Sequence, residues 1–242
     1  MRLSRLILAV GLIALPSGAI AQELTVGLGG EGALTLQVVQ LFVLITVLSL
    51  APGIAIMMTC FPFMVTVLSL LRQAIGVQQA PPNMMIVSLA LFLTYFVMAP
   101  VFERAWVEGV RPLTQGAIDA GEAFDRTMAP VREFMGARVD PRTVEMLAEA
   151  APGRQSAPGD ETPLELLIPS FLLSEIKRGF EVGFLIFLPF LIIDLVIASI
   201  LMAMGMMMVP PAIVSLPFKL AFFVLADGWS LLAGALVRGY AP

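Results

Sequence analysis

Apolar positions in this chain form two long blocks separated by a polar stretch. The segment Gly32–Leu71 contains no charged side chain, and Val182–Phe218 contains only Asp194. Forty helical residues extend about 60 Å, whereas the hydrocarbon core of a bilayer is about 30 Å thick, so each block must be interrupted. Proline and glycine provide interruptions at Pro52-Gly53, Pro62, Gly205 and Pro210-Pro211.

These interruptions predict an all-α integral membrane protein built from helical hairpins. The predicted helices cover residues 34–50, 53–75, 84–102, 183–204 and 212–236. One long kinked element over residues 34–75 is an open alternative. The predicted organisation is a signal peptide over 1–21, a linker over 22–33, a first apolar block over 34–102, a polar insert over 103–181 and a C-terminal hairpin over 182–237.

The first 21 residues have the three parts of a secretory signal peptide. Arg2 and Arg5 precede the apolar run Leu6–Leu15, and Ala19-Ile20-Ala21 forms an A-x-A-like end before Gln22. The apolar run is shorter than the about 20 residues that a membrane span requires. We therefore predict an export signal, with an uncleaved first membrane helix as the alternative.

The polar insert carries most of the charge. Residues 103–181 hold 14 acidic and 9 basic side chains, which is 23 of the 32 charged residues in the chain. Basic residues in short loops favour the cytoplasm, so Arg72 and Lys219 place their neighbouring turns there and the insert falls on the extracytoplasmic, periplasmic side. Within the insert, Pro130 and Asp140-Pro141 are predicted to open helices.

Composition excludes several functional classes. The chain is 59% hydrophobic and 13% charged, whereas soluble domains are about 45–50% apolar and about 25% charged. A net charge of −4 gives no basic footprint for nucleic acid. There is no histidine, and Cys60 is the one cysteine, which excludes histidine-based catalysis, His/Cys zinc sites and an intramolecular disulfide. We expect no enzyme activity, cofactor or metal.

Two ionisable residues in the C-terminal apolar block are predicted to pair. The midpoint between Asp194 and Lys219 falls between Met206 and Met207, inside the predicted turn, so in an antiparallel hairpin both lie about 18 Å from the turn. A buried pair of this kind would set the hairpin register. The alternative is a proton or ion relay, as in a stand-alone ion channel or transporter that uses Asp194 and Lys219.

Further candidate residues flank this pair. Methionines crowd the turn, and the run Met206, Met207 and Met208 suggests either core filling or a deformable seal. Glu175, Lys177 and Arg178 precede the apolar helix, where interfacial anchoring is the simplest interpretation. Asp227 is the other carboxylate in the block. An aspartyl enzyme using Asp194 and Asp227 is disfavoured because their predicted heights differ.

Four segments carry a resemblance to a known family. Residues 187–232, FLPFLIIDLVIASILMAMGMMMVPPAIVSLPFKLAFFVLADGWSLL, resemble the C-terminal signature of the flagellar biosynthetic protein FliP family, which includes the SctR proteins of type III secretion injectisomes. PSFLLSEIKRGFEVG (169–183) is similar to its second signature, and 70–83 and 89–100 are also family-like. The family usually has an arginine after S-F-T, where this chain has Cys60-Phe61-Pro62-Phe63.

The resemblance implies a role that the residues alone do not. It implies a core subunit of the flagellar type III protein export gate in the bacterial inner membrane, within the flagellar basal body. About five copies would form a helical funnel with FliQ-like and FliR-like subunits, other export-apparatus proteins would dock there, and flagellar subunits would be the cargo. Met206, Met207 and Met208 would form the pore gasket, and Asp194 and Lys219 would match the buried charged pair. Glu175, Lys177 and Asp227 would be signature and interface residues.

Overall fold

A computed structural model describes residues 30–77, 81–150 and 162–240, and side chains from Val38 onward. The predicted signal peptide and most of the 22–33 linker lie outside the described residues. Every element in the described part is helical, with a π-helical turn at Trp106–Val110 between α3 and α4. The helices are α1 (Gly30–Met57), α2 (Phe61–Ile75), α3 (Asn83–Ala105), α4 (Arg111–Thr114), α5 (Ala120–Gly136), α6 (Pro141–Ala150), α7 (Leu164–Ala203), α8 (Pro211–Leu225) and α9 (Gly228–Arg238).

The chain divides into two units, at residues 1–49 and 50–242. The described part of the first unit is the N-terminal portion of α1, whose side chains from Val38 to Ser49 are all exposed. The second unit contains the remaining helices and the hydrophobic core. In each unit, the regular secondary structure that is described is helical.

The first helix break lies later than the sequence predicts. Pro52 is inside α1, and the chain breaks at residues 58–60 instead. Pro62 occupies the first turn of α2, where its missing N–H is not needed. Thr59 completes the break, because its hydroxyl donates to the Ile56 carbonyl at 2.7 Å and accepts from the Phe61 N–H at 3.3 Å. The predicted break at Pro52-Gly53 is therefore wrong.

The core of the second unit is built around α2. Its buried residues recur at helical spacing and pack against α3, α7 and α8. Helix α7 crosses α2 closely because Gly179 and Gly183 are four residues apart on one face. A Cβ at Gly183 would lie 2.2 Å from Leu70 Cδ1, and one at Gly179 would lie 3.0 Å from Thr66 Cβ. These two glycines allow the backbones to approach.

Helix α7 is longer than predicted. It runs without interruption for 40 residues from Leu164 to Ala203, across the predicted boundary between the insert and the hairpin at 181/182. Pro130 also does not open a helix as predicted, since it lies inside α5, which Asp119 caps by accepting from the Glu122 N–H at 2.9 Å. The predicted cap at Asp140 is confirmed, because its Oδ1 accepts from the Arg142 N–H at 3.0 Å.

The last predicted helix is divided into α8 and α9, which are bent by 61°. Asp227 lies at the break with φ of 47°, in the left-handed region. The next residue, Gly228, has no side chain to clash, whereas a Cβ at this position would lie 2.2 Å from the Phe223 ring. The single helix predicted over 212–236 is therefore wrong.

Among the described residues, three segments are long and apolar enough to cross a membrane. They are Val38–Met57, Asn83–Thr114 and Leu164–Ala203, and the bent pair α8–α9 would make a fourth. The fold is thus that of an all-α, multi-pass membrane protein, as the sequence predicts.

Candidate functional site: the charged hairpin and its methionine turn

The structure brings Asp194 of α7 and Lys219 of α8 together. The Lys219 Nζ lies 2.6 Å from the Asp194 Oδ2. Ser215, one turn before Lys219 on the same face of α8, donates from its hydroxyl to the Asp194 Oδ1 at 2.6 Å. Both carboxylate oxygens therefore have a donor from α8, which holds the two helices in one register.

Lys219 also reaches a third helix. Its ammonium donates to the Ala74 carbonyl at 3.1 Å, in the last turn of α2. Carbonyls at a helix C-terminus lack intrahelical partners and carry partial negative charge, so a lysine there is favourable. One ammonium thus joins α2, α7 and α8. Ser215 and Ala74 were missed from the sequence, although a serine four residues before Lys219 in an apolar helix was a usable signal.

Burial of the pair is unequal. The Lys219 side chain is 7% exposed, whereas the Asp194 side chain is 39% exposed in the single chain. In the single chain, the lysine is thus buried and the aspartate is partly exposed.

The methionine turn connects α7 to α8. Helix α7 ends in a Schellman motif, in which the Met206 N–H bonds the Leu201 carbonyl at 2.9 Å and the Gly205 N–H bonds the Met202 carbonyl at 3.0 Å. Gly205 has the positive φ, 74°, that this motif requires. Beyond it, Met206, Met207 and Met208 are 41%, 84% and 97% exposed. The last two are therefore presented outward and do not fill the core of their own chain.

Glu175 is buried rather than interfacial. It is 0% exposed, in contrast to the predicted anchoring position at the mouth of the apolar helix. The Arg138 Nε lies 3.2 Å from Glu175 Oε1, and the Tyr240 hydroxyl donates to Oε2. The Arg138 guanidinium also lies over the Tyr240 ring, 3.7 Å from its centre, and donates to the Gly239 carbonyl at 3.2 Å.

This buried junction links the first third of α7 to two distant segments, the turn after α5 and the residues that follow α9. Burial and the negative charge of Glu175 raise the pKa of Tyr240, so its hydroxyl stays protonated as a donor. Phe63, which stands where the family usually has arginine, packs edge-on against Tyr240 with ring centres 5.5 Å apart. Arg138 and Tyr240 were not found from the sequence because they lie 37 and 65 residues from Glu175.

Lys177 and Asp227 occupy separate places. Lys177 is exposed, and its Nζ lies 2.9 Å from the Asp140 Oδ2. The hydrogen bond from Lys177 and that from the Arg142 N–H lower the pKa of Asp140. Asp227 Oδ1 accepts from the Ser230 hydroxyl at 3.0 Å. Asp194 is bonded to Lys219 and Ser215, and Asp227 to Ser230, so the two carboxylates have separate partners.

These features define a class: a multi-pass helical membrane protein whose last hairpin carries an ion pair and an outward-facing methionine turn. Within this class, the sequence profile of the FliP family matches residues 44–236, and the chain belongs to the FliP family.

Similar proteins come from several bacteria. The chain is 52% identical to the flagellar biosynthetic protein FliP of Caulobacter vibrioides, over 96% of this chain and 88% of that protein. It is 46% identical to the protein of that name in Agrobacterium fabrum, over 95% and 96% of the two chains. The Bacillus subtilis protein is 44% identical, over 84% of this chain and 91% of its own length.

Proposed function

We propose that this chain is a core subunit of the flagellar type III protein export gate, the membrane channel through which flagellar subunits are secreted. Membership of a family of flagellar biosynthetic proteins supports this role. The gate lies in the bacterial inner membrane, within the flagellar basal body. The chain itself performs no bond chemistry there, since the family is structural and not one of enzymes.

The outward-facing methionine turn is the observation that carries the mechanism. Met207 and Met208 are almost fully exposed in the single chain, yet thioether side chains are apolar and are stabilised by contact with other apolar groups. In a ring of about five copies with FliQ-like and FliR-like subunits, these side chains meet at the axis. Flexible methionines there close around varied cargo and exclude ions when no cargo is present.

In this mechanism the Asp194–Lys219 pair has a structural role, which is to hold the hairpin in a fixed position. Because Lys219 is bonded to both Asp194 and Ala74, it sets the height of the methionine turn against α2. A stand-alone ion channel or transporter, the alternative, would use Asp194 and Lys219 as an ion or proton relay. It also predicts ion conductance by the purified chain without FliQ-like and FliR-like partners.

The proposed gasket is tested by truncating its exposed methionines. In a motile strain, Met207→Ala combined with Met208→Ala should raise membrane permeability to small ions, because two flexible apolar side chains are removed from the seal. Met84→Ala combined with Met85→Ala is the matched control, since these methionines are 80% and 61% exposed at the start of α3. Ion-sensitive dyes measure the leak.

Assembly is measured in parallel by native mass spectrometry of the solubilised protein, co-expressed with FliQ-like and FliR-like partners. We expect a discrete ring in both variants. We expect an ion leak only in the variant with the truncated methionine turn. Unchanged permeability in an assembled turn variant would reject the gasket. A monomer that ignores the partners would reject the export-gate role.

A further inference from the structure

Glu175 is a buried carboxylate whose counter-charge comes from a distant part of the chain. Its side chain is 0% exposed, and that of Arg138, whose Nε lies 3.2 Å from Glu175 Oε1, is 14% exposed. Arg138 lies between α5 and α6, 37 residues before Glu175. A buried carboxylate requires a close opposite charge, because an uncompensated charge is costly in a medium of low dielectric constant. This contact therefore constrains where the end of α5 lies against α7.

Tyr240 orients the Arg138 guanidinium. The guanidinium carbon lies 3.7 Å from the centre of the Tyr240 ring, and the hydroxyl of the same ring donates to Glu175 Oε2. Phe134, in the last turn of α5, stacks on Tyr240 with ring centres 6.1 Å apart and planes inclined by 17°. A planar guanidinium stacked on a fixed ring has few orientations available. Arg138 is thus held with its N–H groups toward Glu175.

The next residues of the chain also contact α7. The Asp140 N–H donates to the Ser174 hydroxyl at 3.0 Å, and the Lys177 Nζ lies 2.9 Å from the Asp140 Oδ2. Lys177 is exposed, and exposed ion pairs contribute little to stability. The buried pair of Arg138 and Glu175 is therefore the stronger of the two ionic contacts between the α5–α6 segment and α7.

Position 63 of α2 lies beside the same carboxylate. A Cβ at Gly179, one turn after Glu175 on α7, would lie 3.5 Å from the Phe63 carbonyl oxygen. Phe63, Arg138 and Arg178 also line one otherwise apolar groove of about 480 Å³. A longer side chain at position 63 would therefore have space to extend along α7. A guanidinium there would find its carboxylate at Glu175.

We propose that Arg138 is the positioning residue that neutralises Glu175 in place of an arginine at position 63, where this chain has phenylalanine, and that it thereby fastens the α5–α6 segment to α7. One buried carboxylate is balanced by one guanidinium, so the two positions are alternatives for the same charge. Phe63 then packs against Tyr240 as an aromatic ring. The inference goes beyond the proposed gate function, because it concerns how the polar insert is attached.

The counter-charge is tested by moving the arginine in the full-length protein, purified in detergent. Arg138→Met should lower the melting temperature by about 10 °C, because it leaves a buried carboxylate unpaired. Phe63→Arg should have opposite effects in two backgrounds. It should lower the melting temperature of the parent, by crowding two cations at one carboxylate, and raise that of Arg138→Met, by restoring the missing charge.

Phe63→Met is the matched control for this transfer. It removes the ring and supplies an unbranched side chain without charge, so it should lower the melting temperature in both backgrounds. If Arg138→Met does not accumulate, the yields of the two double variants decide instead. Arg138→Met with Phe63→Arg should then be recovered from membranes, whereas Arg138→Met with Phe63→Met should not.

Hydrogen exchange of the backbone amides measures the attachment separately. In Arg138→Met, the amides of α6 should exchange about tenfold faster, because a charged hydrogen bond between this segment and α7 is lost. Adding Phe63→Arg should leave this increase in place, since the new guanidinium belongs to α2 and does not bind α5–α6. Arg178→Met is the control, because it removes an exposed arginine from the same groove and should exchange as the parent does.

Two results would overturn the proposal. If Phe63→Arg lowers the melting temperature in both backgrounds, or if Phe63→Met stabilises Arg138→Met equally well, the two arginine positions do not serve the same carboxylate. If α6 exchanges at the parental rate in Arg138→Met, the ion pair does not attach this segment. Neither measurement involves the methionine turn, so failure here is distinguishable from failure of the proposed gate function.

Discussion

Lys219 shows how one side chain joins distant parts of the sequence. Its pairing with Asp194 follows from equal distances to the turn, and helical rise is enough to anticipate it. Its bond to the Ala74 carbonyl spans 145 residues, and no local pattern indicates it. The position of Ser215, four residues before Lys219, was a usable signal, but only the packing of α7 against α8 shows that its hydroxyl donates to Asp194, because a serine in an apolar helix can also bond its own backbone.

Unequal burial of this pair predicts unequal mutational costs. Asp194→Asn leaves a buried ammonium without its counter-charge, and we expect a loss of about 3 kcal/mol in the free energy of unfolding. Lys219→Met leaves a carboxylate that is partly exposed and still bonded to Ser215, together with an unsatisfied Ala74 carbonyl, so about 1–2 kcal/mol is expected. Denaturant unfolding in detergent measures both.

The charge-swapped double variant, Asp194→Lys with Lys219→Asp, should restore secretion only in part. The swap recreates an ion pair but turns a carboxylate toward the Ala74 carbonyl, where the ammonium formerly donated. Failure of any rescue would favour an ion relay. A larger stability loss in Lys219→Met than in Asp194→Asn would contradict the burial argument. Lys177→Met is the control, because it removes a lysine from an exposed ion pair, the one with Asp140.

Among the helices, those with local start and stop signals were predicted best. The turn between α7 and α8 and the cap of α6 follow from glycine, proline and aspartate at fixed positions. The predictions failed where packing outweighed a proline. Pro52 and Pro130 lie inside helices, and α7 continues through residues assigned to the insert. Interior prolines are tolerated when the rest of the helix is well supported.

The start of α6 gives a pH-dependent prediction. Lys177 and the Arg142 N–H lower the pKa of Asp140, so its ionised form stabilises the folded state. This contribution is fully present above the ordinary aspartate pKa of about 3.8 and is lost as the pH falls through the lowered folded-state value. Asp140→Asn should therefore be destabilising at pH 7, and the difference from the parent should shrink below about pH 3.8.

Thermal unfolding of the two proteins across this pH range tests the prediction. Lys177→Met removes the other member of the ion pair. In the Asp140→Asn background it should cause little further destabilisation, because the carboxylate that Lys177 contacts is already absent. A difference between Asp140→Asn and the parent that is constant from pH 7 to pH 3 would contradict the assignment.

In the second unit as a whole, the core depends on how closely α7 approaches α2. Gly183→Ala should destabilise the fold by about 1–3 kcal/mol, because the new Cβ would overlap Leu70 and force the helices apart. Gly53→Ala is the matched control in α1, where nothing lies within 4 Å of the new Cβ. There, alanine should be neutral or stabilising by about 0.5–1 kcal/mol.

Circular dichroism during heating in detergent compares these variants. Equal melting temperatures for Gly183→Ala and the parent would show that the crossing is not tight. A loss in Gly53→Ala as large as that in Gly183→Ala would indicate a general effect of helix composition rather than a packing contact.

The sequence by itself determined the membrane class, the polar insert, the hairpin around the methionine turn and the family resemblance. These properties depend on hydropathy, helical period and turn residues, all of which are local along the chain. Only the tertiary structure decided that Glu175 is buried with Arg138 and Tyr240, that Lys219 bonds α2, and that Arg178 lies beside an apolar groove. Those contacts join segments up to 145 residues apart, and burial depends on which surfaces meet after the helices have packed.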